Sequence, residues 1–378
     1  MSRSWVVIDH DAIAHNVAVL RGTAGPATAV CAVVKADGYG HGMVEVARTA
    51  LRAGASWLGV AHADEGGQLR CAGIDAPVLL LSEPVLPDEL DAVVAAGLRV
   101  TVYHEDAVDA LAATGAPIAV HLKVDTGLRR VGARPADVVA LARRIRSAPG
   151  LTLEGVWTHF ALADSPSDPF TALQVSRFAE VVDELERAGF DVPVRHAANS
   201  AGAIAHPDAR FGMVRPGIAL YGVEPSAELA GAVGLRPALS WHTRVSFVKT
   251  VPAGEGISYG HRHRTTADTV VATVPVGYAD GLPRAWGLAG GPVLIGGVRR
   301  PLIGAVTMDQ ALVDCGPGAE VRVGDEVVLI GRQGDAVVTA DEIAAGTGTI
   351  SYEILTGIGP RVERRHVGGG AEPDGQVS

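Results

Sequence analysis

Only three of the 32 basic residues are lysines, Lys35, Lys123 and Lys249; the rest are arginines. A chain that meets its need for bare positive charge with guanidinium keeps lysine where amine chemistry is wanted. Lys35 fits that reading. It closes the apolar run "TAVCAVV" and leads into "ADGYGHG", Ala36 to Gly42, whose glycines permit a tight turn with Tyr39 directed back toward the strand end. An ammonium desolvated in such a place loses basicity and becomes a nucleophile able to hold an aldehyde as a Schiff base. A strand-end lysine snorkelling into solvent accounts for the same residues. Lys249, in "SFVKTVPAG", is equally explained as a strand-edge charge.

The elements around Lys35 repeat one pattern from about Ala29 to Val223. Short β-branched or leucine-rich runs alternate with alanine-rich stretches of helical period such as "PADVVALARRIRSA" and "QVSRFAEVVDELERAG". The candidate strands are "TAVCAVVK", "WLGVAH", "PVLLLSE", "LRVTVY", "IAVHLKVD", "LTLEGVWTHF", "VPVRHAANS" and "MVRPGIALYG". Their number and the intervening helices predict an α/β architecture with an N-terminal (β/α)8 TIM barrel over residues 10–236. Beyond Pro237 the helical stretches nearly vanish, and Gly/Pro turns separate strand-like runs. Residues 237–366 are therefore expected to form a mainly β C-terminal domain, with residues 1–9 pairing into it. One helical piece, "TADEIAAGTGTISYEILTGI", is expected within that domain. The tail 367–378, "VGGGAEPDGQVS", has a disordered composition.

Barrels present their chemistry at the C-terminal ends of their strands. Those ends carry Lys35, His62, Ser82, Lys123 with Asp125, His159, Asn199 with Ser200, and Arg215 with Gly217. Two of the three lysines thus converge on one mouth. Taken singly, His159 is equally a structural strand-end histidine and Arg215 a rim salt-bridge partner.

Composition narrows the function classes. With 378 residues, 48% hydrophobic and 20% charged, the chain has the profile of a globular enzyme too long for one ordinary core. A net charge of −10 argues against a nucleic-acid surface. No apolar run approaches membrane-span length, and no secretory signal is expected from "MSRSWVVIDHD", which has neither an apolar h-region nor a small-residue cleavage site. Cys31, Cys71 and Cys315 are scattered, as suits a reducing cytoplasm. No metal is expected, because His41, His62, His121, His159 and His196 lack a compact ligand motif.

The motif "VVKADGYGHG" resembles the cofactor-lysine motif of alanine racemases, pyridoxal 5'-phosphate (PLP) enzymes built from a barrel and a β domain. "HLKVDTGLRRVG", "THFALAD", "HAANSAG", "MVRPGIALYG", "GISYGH", "GYADG", "VTMDQ" and "SYEILTGIGPRV" resemble that family's other blocks, in the family's order, from Trp5 to about Arg365. The resemblance implies that Lys35 binds PLP and carries a proton on one face of the substrate Cα. It makes Tyr259, supplied by the second subunit of a homodimer, the carrier on the opposite face. That phenol, ordinarily titrating near pKa ~10, must then ionise more readily in the site.

Further roles follow from the same resemblance. Arg215 would face the pyridine nitrogen and, as a guanidinium, leave it largely unprotonated. Tyr39, Asn199, Ser200, Gly217, Ile218 and Tyr352 would hold the cofactor, mainly at its phosphate, and His159 would pack beside the ring. Lys123 is at a position often carbamylated in the family, where it orients Arg130 toward the substrate carboxylate or Tyr39. Met308 and Asp309 would reach the substrate carboxylate across the dimer interface, and Tyr278 would line the narrow access route. Arg129 fills a variable position, and Thr307 stands where cysteine or serine is frequent.

The function implied is interconversion of L- and D-alanine in the cytoplasm by two proton carriers, supplying D-alanine for bacterial peptidoglycan. A serine-accepting racemase of the same fold and a non-catalytic PLP-carrying regulatory protein are the alternatives. A lone barrel is usual for the latter, so the β domain with Tyr259 and Met308–Asp309 weighs against it. Barrel decarboxylases of basic amino acids carry a C-terminal cysteine signature that is missing from this sequence.

Overall fold

The computed structural model of the chain describes residues 3–369. Two compact units emerge. Among the described residues, one comprises 12–38 and 42–236; the other comprises 3–11, 39–41 and 237–369.

The first unit is a closed eight-stranded parallel barrel. Label β1 belongs to Ser4–Asp9 of the other unit, so the barrel strands are β2 (Ala29–Val33), β3 (Trp57–Val60), β4 (Val78–Leu80), β5 (Arg99–Val102), β6 (Ile118–Lys123), β7 (Leu151–Trp157), β8 (Val194–His196) and β9 (Met213–Val214). Each pairs with the next, and β2 closes the ring on β9. Strands covered on both faces need no polar alternation, which is why β4 is the fully buried run Val78, Leu79, Leu80.

The intervening helices bury one stripe. In Met43–Arg52 the residues Met43, Val46, Ala47 and Ala50 are buried; in Phe170–Arg187 they are Gln174, Phe178, Val181, Val182 and Leu185. Gly97 ends the helix Pro87–Ala96 in the left-handed conformation that glycine adopts without a Cβ penalty. No helix among the described residues is long and apolar enough to cross a membrane.

The second unit is a mostly antiparallel ten-stranded sheet together with a short two-stranded ribbon. Strand β1 lies antiparallel to Leu239–Arg244 and parallel to Glu363–Val367. Its alternation buries Val6 and Ile8 completely.

Three expectations need correction. The run "TAVCAVVK" stops being a strand at Val33, and Lys35 lies in the following turn. The single late helix is two, Ala340–Thr347 and Ser351–Thr356, because Gly348 takes φ +73° and ends the first. Val367 belongs to a strand rather than a disordered tail, and Gly369 N–H donates to Asp11 Oδ1 at 2.9 Å. The rest of that tail, 370–378, lies outside the described residues.

Candidate active site

The turn after β2 is left-handed. Ala36, Asp37, Gly38 and Tyr39 have φ of 53°, 51°, 61° and 53°. Left-handed backbone costs a residue with a Cβ ~1–2 kcal/mol, so the turn must be held from outside. Glu65, at the start of the helix Ala63–Cys71, does this. Its Oε1 accepts Ala36 N–H at 2.7 Å, while Oε2 accepts Ala61 and His62 N–H at 2.8 and 3.1 Å. Asp37 Oδ1 in turn accepts Met43 N–H at 2.9 Å. Glu65 was missed in the sequence; its place at the third position of the helix Ala63–Cys71, from which a glutamate reaches back to the N-cap backbone, was the available signal.

Half-buried Lys35 sits in this turn. Burial, and after it the Arg130 guanidinium, pull its ammonium below the ordinary lysine value, against the opposing charge of Glu65. Lys123, the last residue of β6, is 3% exposed. Its Nζ lies 4.4 Å from the ring centre of Trp157, its register neighbour on β7. Burial, followed by Arg130 and Arg215, lowers Lys123 to about 7. His159, two residues past β7, is held well below its usual value by burial and then Arg215. The barrel mouth therefore gathers Lys35, Lys123, Arg130 and Arg215, four cations each felt by at least one other side chain of the group.

Arg215 is the most constrained of them. Its Nη2 donates to Thr158 O at 2.8 Å and Ala197 O at 2.9 Å, and lies 3.4 Å from His159 Nδ1. Its Nη1 meets His196 Nδ1 at 2.9 Å, and the guanidinium lies 4.5 Å from the Trp157 ring centre. Trp157, absent from the sequence-based site, is thus the platform under both Lys123 and Arg215. The period-2 relation of Trp157 to His159 was the available signal.

At the next strand end Ser200 Oγ accepts two backbone donors, Gly217 N–H at 2.9 Å and Ala219 N–H at 3.3 Å. The hydroxyl proton remains to be donated. Asn199 caps the helix Ser200–Ala205, its Oδ1 accepting Gly202 N–H at 2.9 Å. His62 and Ser82 stay outside this group: His62 occupies the N-cap position of the helix Ala63–Cys71 without a side-chain cap bond, and Ser82 donates to Ala61 O. Asp125 braces its own loop through Gly127 and Arg129 N–H.

The lysine result gives a testable pH dependence. An unfolded lysine titrates near its ordinary 10.5, so between about 7 and 10.5 the unfolded chain binds more protons than the folded one. The penalty for burying charged Lys123 is full below about pH 7 and fades as pH rises toward 10.5. Lys123→Met is thus expected to raise the urea midpoint of the cofactor-free chain most at the acid end, with the gain shrinking toward high pH. A gain that ignores pH would mean that Lys123 is not depressed in the fold.

The second unit carries the remaining predicted residues in two groups. Buried Tyr39 tilts against Tyr352, ring centres 6.2 Å apart at 51°. Burial, then Tyr352, pushes the Tyr39 phenol upward. Arg364 secures this stretch by donating to the carbonyls of Gly40, Ile358, Gly359 and Val362.

In the other group, Tyr278 N–H donates to Thr307 O at 3.0 Å and Ala279 N–H to Met308 O at 3.1 Å. A Cβ on Gly277 would stand 2.2 Å from Met308 O, so only glycine admits this approach. Arg361 ties the two turns together, reaching Asp309 at 2.8 Å and Asp280 at 3.2 Å. Asp309, expected to meet substrate, is therefore engaged by Arg361. Tyr278 and Met308 are about half exposed, and Tyr259, in a short 3-10 turn, is 76% exposed.

Comparison with known proteins gives matches over nearly the whole chain. Residues 8–225 match the family model "Alanine racemase, N-terminal domain" and 238–366 match "Alanine racemase, C-terminal domain". An alanine racemase of Symbiobacterium thermophilum is 47% identical over 97% of this chain and 98% of its own. The alanine racemase structure from D-cycloserine-producing Streptomyces lavendulae superposes with a TM-score of 0.91 at 41% identity, covering 98% of each chain. That from Bacillus anthracis with bound L-Ala-P gives 0.92 at 39% identity, covering 98% of this chain and 96% of the other.

Proposed function

This chain belongs to the alanine racemase family of isomerases, and we propose that it interconverts L- and D-alanine with PLP held at Lys35. The observation that carries the reading is Lys35 itself. It is an amine of lowered basicity, on a left-handed turn at a barrel strand end, among three other cations. That donor set fits an anionic aldehyde cofactor: a nucleophilic amine, an excess of positive charge, and the Ser200 hydroxyl beside the Gly217–Ala219 backbone for a phosphate. When bound, PLP supplies the electron-withdrawing ring that makes the substrate Cα proton removable.

The chain's own residues do the rest. Lys35 Nζ carries the proton on one face, and Tyr259 Oη, from a second copy in a homodimer, carries it on the other. Ser200, Gly217, Ile218 and Tyr352 bind the phosphate, and Asn199 sets the direction of the short helix that presents Ser200. Arg215 donates toward the ring nitrogen without surrendering its proton, and His159 packs beside the ring. Lys123, whose basicity burial lowers to about 7, is a suitable amine for carbamylation, which would turn Arg130 toward the substrate carboxylate or Tyr39. Met308 and Asp309 contribute to carboxylate binding, and Tyr278 narrows the access route. The product D-alanine would serve cytoplasmic peptidoglycan precursor synthesis.

L-Alanine incubated with PLP-loaded protein in D2O is expected to gain deuterium at Cα while drifting to an equal mixture of enantiomers. Exchange with serine but not alanine would move the substrate. Exchange with neither would sink the reading.

A further inference from the structure

The hydrogen bond from Arg215 to His196 is the first link of a longer chain inside the barrel. His196 Nε2 lies 2.8 Å from His121 Nδ1, and His121 Nε2 lies 3.1 Å from Glu154 Oε2. His121, His196 and Arg215 are buried, at 0%, 0% and 3% exposure. His121 sits on β6 and His196 on β8, so the contact has to pass across β7. It does so at Gly155, where a Cβ would stand 2.3 Å from His121 Nδ1.

Donor and acceptor rules allow one proton arrangement along this chain. A guanidinium only donates, and an ionised carboxylate only accepts. Arg215 therefore makes His196 Nδ1 an acceptor, which places the His196 proton on Nε2. That proton is donated to His121 Nδ1, so the His121 proton sits on its own Nε2 and is donated to Glu154. The reverse order would set an N–H against the Arg215 N–H at one end and leave two acceptors facing each other at the other.

The surroundings favour neutral imidazoles and a charged terminus. Burial, then Arg215, holds His196 well below its usual value, and burial lowers His121 despite Glu154. Burial works to raise the Glu154 carboxyl, but the hydrogen bond from His121 and the charge of Arg99 outweigh it, leaving it lowered. Arg99 Nε stands 3.6 Å from Glu154. Aromatic walls fix both rings: Trp157 stacks on His196 at 5.5 Å and 6°, and Trp57 meets His121 edge-on at 5.6 Å and 66°.

We propose that His121 and Glu154 are positioning residues for Arg215, forming with His196 a one-directional relay that holds the guanidinium in one orientation at the barrel mouth. The hydrogen bonds to neighbouring side chains and carbonyls use Nη1 and Nη2, so the relay fixes the plane in which the rest of the guanidinium is presented. Its value to catalysis rests on the racemase reading; its proton order does not.

The test begins with the cofactor-free chain labelled with 15N-histidine, read by two-bond proton–nitrogen correlation. His121→Gln and His196→Gln assign the two signals. Both rings are expected as neutral Nε2–H tautomers near neutral pH. A ring that is Nδ1–H or doubly protonated there overturns the relay, whatever the activity. In the PLP-loaded protein, Glu154→Gln is expected to lower kcat by about tenfold or more, with KM for alanine nearly unchanged. Glu154→Asp, which keeps the charge, is expected to recover part of that loss. Unchanged kcat in a folded Glu154→Gln protein, or no recovery in Glu154→Asp, overturns the positioning role and leaves the racemase reading intact.

Discussion

Lys35→Ala is expected to lower the racemisation rate by about 10⁴-fold or more in both directions. Two functions vanish with one amine: the covalent hold on the cofactor and the proton carrier on one Cα face. Lys35→Arg separates charge from chemistry. It keeps a cation in the turn after β2, yet a guanidinium neither attacks an aldehyde nor accepts a proton at working pH. Both variants are therefore expected to be inactive to a similar degree. Reduction with borohydride should attach the cofactor irreversibly to the parent protein and to neither variant. The turn itself should survive, because its hydrogen bonds run through Glu65 and Asp37 and not through the Lys35 side chain. Racemisation within about tenfold of the parent in Lys35→Ala would remove this lysine from the mechanism, since general acid–base help alone is worth more than that.

How far the sequence revealed this site depends on how local each contact is. The barrel strands were legible because a buried parallel strand is a short continuous apolar run, as in Val78, Leu79, Leu80. Lys35, Lys123, His159 and Arg215 were legible because they lie at or just beyond the ends of such runs, where a barrel opens. The left-handed turn was not: Ala36 and Asp37 both have side chains that disfavour positive φ, and a Glu65 bond formed 29 residues away makes it tenable. The Arg215–His196–His121–Glu154 relay was equally hidden. Its histidines are 75 residues apart and meet only because Gly155, on the strand between them, has no side chain. Sequence shows which groups can do chemistry; the long-range bonds that orient them arise from the closed barrel.

Tyr259→Phe is the second large effect, and it should split the two enantiomers. The substitution removes one hydroxyl from a residue that is 76% exposed, so stability should change by less than about 0.5 kcal/mol. Racemisation is expected to fall by about 10²–10⁴-fold, the range for losing one positioned acid–base group. Cα exchange in D2O should nevertheless persist for the enantiomer whose proton faces Lys35, with its configuration retained. Equal loss of exchange for both enantiomers would show that Tyr259 binds and does not carry a proton.

The pair Lys35→Ala and Tyr259→Phe also tests where the tyrosine comes from. If two copies share their sites as proposed, a hybrid dimer has one barrel with Lys35 facing the intact Tyr259 of its partner. Its other barrel lacks both groups. Random pairing makes half of the dimers hybrid, each with one working site, so mixing two inactive variants should restore roughly a quarter of the parent activity. A tyrosine serving its own barrel leaves every site with one lesion. Mixing would then restore nothing.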